Sequence, residues 1–331
     1  MTPAWSLIAA AGIAIAPVHA QVVPTVFEAG HFFVTPETAS GERLKLLVDT
    51  GGGGVDGMYL LNTQAASRLK LAAGHCTLQG KDITTAPAPV YKPGLGIPAP
   101  TNATCTGVMT YEDKHPISAM DGMLGSNYLN GRIWTFDYPA KQLILQGKHW
   151  TPVVDDHAYT LGFQKDAEGK RARAFPRVVI RVDGQPLDML LDTGATAFPS
   201  ESGKQATGTP TVNGFGVTSY ITHSQLERWH AAHPGWRAVE NGDELFAGQP
   251  TRMIEVPSLD IAGWSVGPVW FTERNDDDFH NLMDPLMDKP PEGAVGGNVL
   301  GRFRLTIDYP QGVAYFGCTQ GCQTAIPSSR H

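Results

Sequence analysis

An internal repeat constrains the fold of this chain more than any other feature. The stretch GERLKLLVDTGG carries an apolar run into Asp49, and GQPLDMLLDTGA carries a matching run into Asp192. A second pair of segments, GMLGSNYLNGRIWTFDYP from Gly122 and GAVGGNVLGRFRLTIDYP from Gly293, aligns without a gap. Because both blocks occur in the same order in each half, the chain is a duplicated unit. Two similar lobes are therefore predicted.

Each unit is predicted to be mostly strand. Val178–Val182 is a β-branched run that enters an Asp183-Gly184 turn, which is typical of a β-hairpin. The chain contains 37 glycines and 25 prolines, a composition that favours many short strands over long helices. The charged segment KDAEGKRARA, where the two halves meet, is interpreted as a linker or hairpin.

Short helices and one insertion interrupt the strands. One helix is expected to begin at Asn62 as its N-cap, and another at a capping box formed by Ser224 and Glu227. The second half also contains the polar, glycine-containing stretch PSESGKQATGTPTVNGFG from Pro199. A surface loop is predicted there.

The first 20 residues are predicted to be a secretory signal. An apolar stretch precedes Val18-His19-Ala20, a small-x-small cleavage pattern, so the mature chain is expected to begin at Gln21. No later apolar run approaches the roughly 18 residues that a membrane-spanning helix needs. We therefore expect an exported protein, periplasmic or secreted, with no membrane span after signal removal.

Export determines how the four cysteines are interpreted, because disulfides form in oxidising compartments. Four cysteines permit three pairings, and pairing within each half is the simplest. Zinc is the rival interpretation, but no C-x-x-C occurs and the spacings fit no common zinc finger. The disulfide candidates are Cys76, Cys105, Cys318 and Cys322.

Charge and motifs argue against several other functions. The net charge is -7 and no block of Lys and Arg offers phosphate neutralisation, so no nucleic-acid partner is expected. Gly52-x-Gly54-x-x-Gly57 matches a dinucleotide fingerprint, but it lacks the helix and the acidic residue that such a site requires. His223, His230 and His233 lack a metal-binding spacing. Neither a cofactor nor a metal is expected.

The two repeated aspartates suggest acid–base chemistry. A strand that ends in Asp-Thr-Gly places a carboxylate on a tight loop, where glycine allows a close approach. Two such loops, related by a pseudo-twofold axis, can bring both carboxylates to the interface between the lobes. Since like charges a few Å apart do not both ionise easily, the pair would share one proton and leave one base and one acid. Such a pair can activate water.

These features resemble the bilobal aspartic peptidases of the pepsin and retropepsin superfamily. Each Asp-Thr-Gly is followed downstream by an apolar-apolar-Gly block, Met123–Gly125 and Ala294–Gly296. Ala195 after the second Asp-Thr-Gly is closer to the retropepsin form than to the pepsin form. The resemblance implies an all-β fold with minor α, consisting of two pseudo-symmetric β-barrel-like lobes of the acid-protease fold with an active-site cleft between them. The lobes are expected at residues 21–150 and 151–331.

The resemblance also assigns roles to individual residues. Asp49 and Asp192 correspond to the catalytic pair. The residues expected to support the active-site loops are Thr50, Gly51, Thr193 and Gly194, with the two threonine hydroxyls buried and bracing one loop against the other. Tyr91 follows Asp49 at about the distance at which pepsin-like relatives carry a flap tyrosine, so it is a candidate flap residue.

The predicted function is that of an exported aspartic endopeptidase, a hydrolase that cleaves an extended peptide or protein substrate with dyad-activated water. A monomer is expected, since both lobes are in one chain. The alternative is a catalytically weak or inactive relative that keeps the cleft as a peptide-binding module. The run Gly51–Gly54, which gives the first loop unusual backbone freedom, favours the alternative. The retention of two mutually repelling acids favours the enzyme.

Overall fold

The computed structural model describes residues 20–78, 80–101, 104–113 and 119–325. The predicted signal segment therefore lies outside the described residues, except for Ala20. Within the described ranges, no helix combines the length and the apolar character needed to cross a membrane.

Among its described residues, the first half contains eleven strands and two short helices. The strands are β1 (Gln21–Val23), β2 (Thr25–Glu28), β3 (His31–Val34), β4 (Leu46–Val48), β5 (Leu60–Asn62), β6 (Gly74–Leu78), β7 (Lys81–Ala86), β8 (Val108–Tyr111), β9 (Gly122–Leu124), β10 (Ile133–Asp137) and β11 (Gln142–Leu145). The helices are α1 (Thr63–Arg68) and α2 (Ser126–Leu129).

The second half is larger but is also mainly strand. Its strands are β12 (His157–Thr160), β13 (Arg177–Val182), β14 (Gln185–Leu191), β15 (Thr196–Ala197), β16 (Gly216–Val217), β17 (Ser219–Thr222), β18 (Ala238–Asp243), β19 (Thr251–Val256), β20 (Leu259–Ile261), β21 (Trp264–Val266), β22 (Val269–Arg274), β23 (Gly293–Val295), β24 (Phe303–Asp308), β25 (Val313–Cys318) and β26 (Cys322–Thr324). Its helices are α3 (Glu201–Thr207), α4 (His223–Ala232), α5 (Gly297–Leu300), a π-helix (Asp278–Met283) and a 3-10 turn (Asp284–Leu286).

Three large sheets organise these strands. An eight-stranded sheet, in the order β2-β3-β4-β9-β5-β8-β7-β6, belongs to the first half. A ten-stranded sheet, in the order β18-β19-β22-β17-β23-β14-β13-β20-β21-β26, belongs to the second half. A six-stranded sheet, in the order β1-β11-β10-β24-β25-β12, takes strands from both halves and joins them. The lobe boundary near residue 150 stays a prediction.

The repeated sequence blocks pair in the same way in each half. Asp49 follows β4, which runs parallel to β9 with Val48 opposite Leu124. Asp192 follows β14, which runs parallel to β23 with Leu191 opposite Val295. The last repeated segments, β10 and β24, lie side by side at the centre of the shared sheet. The predicted fold class, an all-β chain with minor α in two pseudo-symmetric lobes of the acid-protease fold, is confirmed.

The strands that carry the two aspartates are fixed by burial. Leu46 and Val48 on β4 and Leu191 on β14 have no exposed surface. Burying a side chain of this kind stabilises the fold by roughly 1.5–3 kcal/mol. The loops that follow these strands are therefore anchored in a hydrophobic core to which both halves contribute.

Two of the local predictions were right. The helix expected at Asn62 is α1, and the Asn62 side chain accepts the Ala65 N–H at 2.7 Å. The hairpin expected at Asp183-Gly184 joins β13 to β14, and both turn residues have positive φ, 50° and 72°. Such a turn matches the twist of an antiparallel pair.

Two other local predictions were wrong. Helix α4 begins at His223, one residue before the predicted capping serine, and the Ser224 N–H instead donates to the Asp276 carboxylate at 2.9 Å. The stretch predicted to be a surface loop contains α3, because Ser200 caps its first turn and Gly208 ends it in the left-handed conformation.

Each disulfide joins two cysteines of the same half of the chain, as predicted. Cys76 on β6 bonds to Cys105, with the two Cα atoms 5.8 Å apart, and Cys318 bonds to Cys322 across 6.3 Å. The first bridge fastens the edge strand of the eight-stranded sheet to the segment that leads into β8.

Candidate active site

Each aspartate is held first by its own loop. The Gly51 N–H donates to Asp49 Oδ1 at 2.8 Å, and the Gly194 N–H donates to Asp192 Oδ1 at 2.9 Å. The two bonds are equivalent positions of the repeat. Each carboxyl group therefore has a fixed orientation at the end of its strand.

The threonines brace the two loops against each other. The Thr50 N–H donates to Thr193 Oγ1 at 3.1 Å, and the Thr193 N–H donates to Thr50 Oγ1 at 3.0 Å. The hydroxyls in turn donate across the interface, Thr50 to the Leu191 carbonyl at 2.5 Å and Thr193 to the Val48 carbonyl at 2.8 Å. All four bonds are buried, where hydrogen bonds are strong and specify a single arrangement.

The loop glycines let the carboxyls approach. A Cβ added at Gly51 would lie 2.7 Å from both carboxyl oxygens of Asp192, and one added at Gly194 would lie 2.5 Å from both oxygens of Asp49. These distances are too short for any side chain. Each aspartate thus lies against the glycine of the opposite loop, and the two carboxyls hydrogen-bond to each other.

Burial and mutual proximity raise the pKa of both carboxyls. Burial raises the pKa of the Asp192 carboxyl well above its usual range, and the negative charge of Asp49 adds to this effect. Burial also raises the pKa of Asp49, but hydrogen bonds from Asp192 and from the Gly51 and Gly52 N–H groups oppose the shift. The pKa of both carboxyls is therefore raised, as expected for a buried pair that shares one proton.

A cavity of about 180 Å³ opens onto the pair, and each aspartate is 8% exposed. Its wall comes from both halves and is largely apolar. Besides the two aspartates, the lining residues are His31, Phe33, Leu47, Met120, Met123, Gly194, Ala195, Thr196, Phe215, Tyr220 and Leu245.

A larger cavity, about 410 Å³, lies at the shared six-stranded sheet. Arg132, Lys148 and Asp308 are among its lining residues, and neither Asp49 nor Asp192 is. Size alone does not identify this cavity as an active site, because Asp308 is the one carboxylate side chain in its described lining.

Sequence reasoning missed several residues of the cleft. His31 lies outside the repeated blocks, and Thr196 aligns with Gly53, so the repeat marked neither. Met123 belongs to a repeated block and entered the sequence predictions only as part of the apolar-apolar-Gly pattern. Its thioether instead occupies the space where a Cβ of Gly52 would be, at the cavity wall. The sequence signal available for Met123 was its place in the repeated apolar-apolar-Gly block.

The structure does not bring Tyr91 to the aspartates. This residue forms a β-bridge with Thr38, and its hydroxyl lies 2.7 Å from the hydroxyl of buried Tyr59. It is absent from the described lining of the cleft. Tyr91 therefore belongs to the wall of the first lobe here, and its role as a flap stays a prediction.

The helix histidines point to separate partners. His223 Nδ1 lies 2.6 Å from Glu273, and His233 Nε2 lies 2.7 Å from Asp183. Across the described ranges, no group of three or more His, Cys, Asp and Glu side chains could hold a metal ion.

Comparison with known proteins gives likenesses of structure only. No family model and no curated protein matches the sequence. An aspartic proteinase from Irpex lacteus is similar at 13% identity and a TM-score of 0.48, over 91% of this chain and 98% of that one. Basic 7S globulin from soybean is similar at 12% identity and a TM-score of 0.44, over 92% of this chain and 95% of that one.

Proposed function

We propose that this chain is an aspartic endopeptidase that hydrolyses peptide bonds with a water molecule activated by Asp49 and Asp192. The observation that carries the proposal is the buried, hydrogen-bonded carboxyl pair, held by two matching loops and open to a cavity formed by both halves. Ala195 after the second Asp-Thr-Gly supports placing the enzyme nearer the retropepsin form.

The proposed reaction uses the unequal protonation of the pair. Ionised Asp49 takes a proton from water as the water oxygen bonds to the amide carbon, while Asp192 gives its proton to the carbonyl oxygen. The result is a tetrahedral diol. Asp49 then passes its proton to the amide nitrogen, Asp192 takes back a hydroxyl proton, and the C–N bond breaks. A free acid and a free amine leave, and the pair returns to its first state.

The proposed substrate is a peptide or protein segment in an extended conformation. Apolar side chains line most of the cavity, with Phe33, Met123 and Leu245 among them. Such walls bind substrate by burying apolar surface, while the acids act on the backbone amide. An exported, monomeric enzyme is part of the proposal, and the two disulfides support the exported part.

The alternative is a peptide-binding module with little or no activity. It was favoured by the backbone freedom expected of Gly51–Gly54. Contacts restrain much of that run. Gly51 lies against Asp192, Gly52 against Met123, and the Gly53 carbonyl against Gly125. The first loop is therefore held in place by packing, which favours the enzyme over the binding module.

The test is cleavage of a mixed peptide library across pH by the purified chain beginning at Gln21. Asp49→Asn and Asp192→Asn should each lower the rate by about 10²- to 10⁴-fold, since neither carboxyl can act as both base and acid. Asp137→Asn is the matched control, because Asp137 ends β10, accepts the exposed Ala140 N–H and is not part of the described lining of the cleft.

The outcomes separate the two functions. Cleavage by the wild type and by Asp137→Asn, lost in both dyad variants, supports the peptidase. A dyad variant that cleaves near the wild-type rate rules out the assigned pair. Peptide binding without cleavage by the wild type at any pH establishes the binding module instead.

A further inference from the structure

A buried histidine connects the first half to the loop that carries Asp192. His31 begins β3 and is 4% exposed. Its Nε2 lies 3.0 Å from Thr196 Oγ1, and its ring also hydrogen-bonds to the backbone of Gly194 and Ala195. The reaction proposed above makes no use of this side chain.

The hydrogen-bond network determines which group donates. Thr196 has one hydroxyl proton, and it donates that proton to the Gly194 carbonyl at 2.7 Å. Its oxygen is then an acceptor for the His31 Nε2–H. Thr196 is also held from its own lobe, because the Tyr220 hydroxyl accepts the Thr196 N–H at 2.7 Å and donates to the Thr196 carbonyl at 2.5 Å.

The segment held in this way acts directly on Asp192. The Gly194 N–H donates to Asp192 Oδ1, and the backbone N–H groups of Gly194 and Ala195 both lower the pKa of that carboxyl. A shift of residues 194–196 would therefore change both the orientation and the proton affinity of Asp192. His31 reaches this segment from the opposite half of the molecule.

We propose that His31 is a positioning residue, which fixes the Gly194–Thr196 segment through its Nε2–H and so sets the geometry of Asp192 for the reaction. The inference deepens the proposed peptidase function and rests on it. An equivalent contact is missing at the first loop, where Gly53 occupies the position that aligns with Thr196.

The charges around His31 are compatible with a neutral donor. Glu28 lies opposite His31 in the β2–β3 ladder and is paired with Lys45 at 2.5 Å. Asp49 and Asp192 line the same cavity as His31, as does the uncharged Tyr220. Burial lowers the pKa of His31 to about 4, so the ring is neutral well above that pH.

The experiment compares His31→Leu, which removes the donor, with His31→Gln, which keeps an N–H donor on a side chain of similar reach. His31→Leu should lower kcat roughly 10- to 100-fold with little change in KM, as expected for a misplaced catalytic group. His31→Gln should retain most of the wild-type kcat. His157→Leu is the control: His157 is a part-buried histidine bonded to the Ala262 carbonyl at 3.0 Å, but it lies in the shared sheet, away from the aspartates.

A double-mutant cycle separates positioning from packing. Thr196→Val should lower kcat as His31→Leu does, and the two changes together should cost no more than the larger single loss. If His31→Gln and His31→Leu lose kcat equally and the losses of His31→Leu and Thr196→Val simply add, His31 is a packing residue and the inference is wrong.

A second readout needs no catalysis. Carbon-13 NMR of labelled aspartate carboxyls measures the pKa of Asp192. This pKa should be raised in His31→Leu, because the N–H groups of the displaced segment no longer stabilise the ionised carboxyl. In His31→Gln it should stay near the wild-type value. A wild type without peptidase activity overturns the proposed function. An Asp192 titration that is unchanged in His31→Leu overturns the positioning role, whatever the activity.

Discussion

The two aspartate loops share one framework but have different surroundings. Their threonine brace and their carboxyl–glycine contacts are reciprocal, bond for bond. Beside the first loop lies the thioether of Met123, an apolar neighbour from the same half. Beside the second lies the imidazole of His31, a polar neighbour from the other half. The symmetric parts bring the carboxyls together, whereas the asymmetric contacts give the two loops different neighbours.

The reciprocal contacts between the carboxyls and the loop glycines can be tested by adding a side chain at each glycine. Gly51→Ala and Gly194→Ala would each push a Cβ into the opposite carboxyl, so both should lower kcat roughly 100-fold or more. Gly53→Ala is the matched control, because a Cβ there has no neighbour within 4 Å. Peptide cleavage rates measure the effect. If the Gly51 and Gly194 variants are as active as the Gly53 variant, the described contact between the loops is wrong.

The burial of His31 should make the free energy of unfolding depend on pH in mild acid. The pKa of His31 is about 4 in the folded chain and about 6.5 in the unfolded one, so between these values only the unfolded state takes up the proton. Stability is therefore lost as pH falls from about 6.5 to about 4, by about 3 kcal/mol from this group. Below pH 4 both states are protonated and the loss stops.

Urea unfolding of the wild type and His31→Gln at pH 7 and pH 4 measures this difference. The other titrating groups are common to both proteins and largely cancel. The free energy of unfolding should fall by about 3 kcal/mol more in the wild type than in the variant over this range. An equal fall in both would show that His31 is not a buried neutral group.

The smallest effect concerns the residue after each Asp-Thr-Gly. Gly52 and Ala195 offer no hydroxyl to the ionised carboxyl, so the shared proton should be held tightly and the rate should follow a bell centred around pH 4 to 6. Ala195→Ser adds a donor, which lowers a carboxyl pKa and should move the acidic limb down by up to about one pH unit. A wild-type optimum near pH 2, or an unmoved limb in a folded Ala195→Ser protein, would contradict this account.

Sequence reasoning reached the features that the chain repeats or encodes locally. The two Asp-Thr-Gly loops and the Asn62 cap follow from short motifs, the bracing threonines follow from the resemblance that those motifs support, and the structure contains each of them. His31 and Thr196 are 165 residues apart, and neither lies in a motif. Their contact depends on how the two halves dock, which no local pattern encodes.

The failed predictions have different causes. Ser224 has the sequence of a helix cap, but Asp276, 52 residues further along the chain, accepts its N–H. Helix α3 forms in a stretch whose polar composition suggested a loop, and Gly203 within it packs directly on the Gly242 carbonyl. At Ser224 a tertiary contact overrides the local signal, whereas α3 begins and ends at local caps, Ser200 and Gly208, that the loop prediction did not use.

The most direct test of the account is the number of protons that the aspartate pair holds in mild acid. Carbon-13 NMR of aspartate carboxyls in the wild type, with Asp49→Asn and Asp192→Asn to assign the signals, should show two coupled titrations, with one proton on the pair between pH 4 and 6 and mainly on Asp192. Two independent carboxyls that both titrate near the ordinary aspartate pKa of about 3.9 would contradict the central claim.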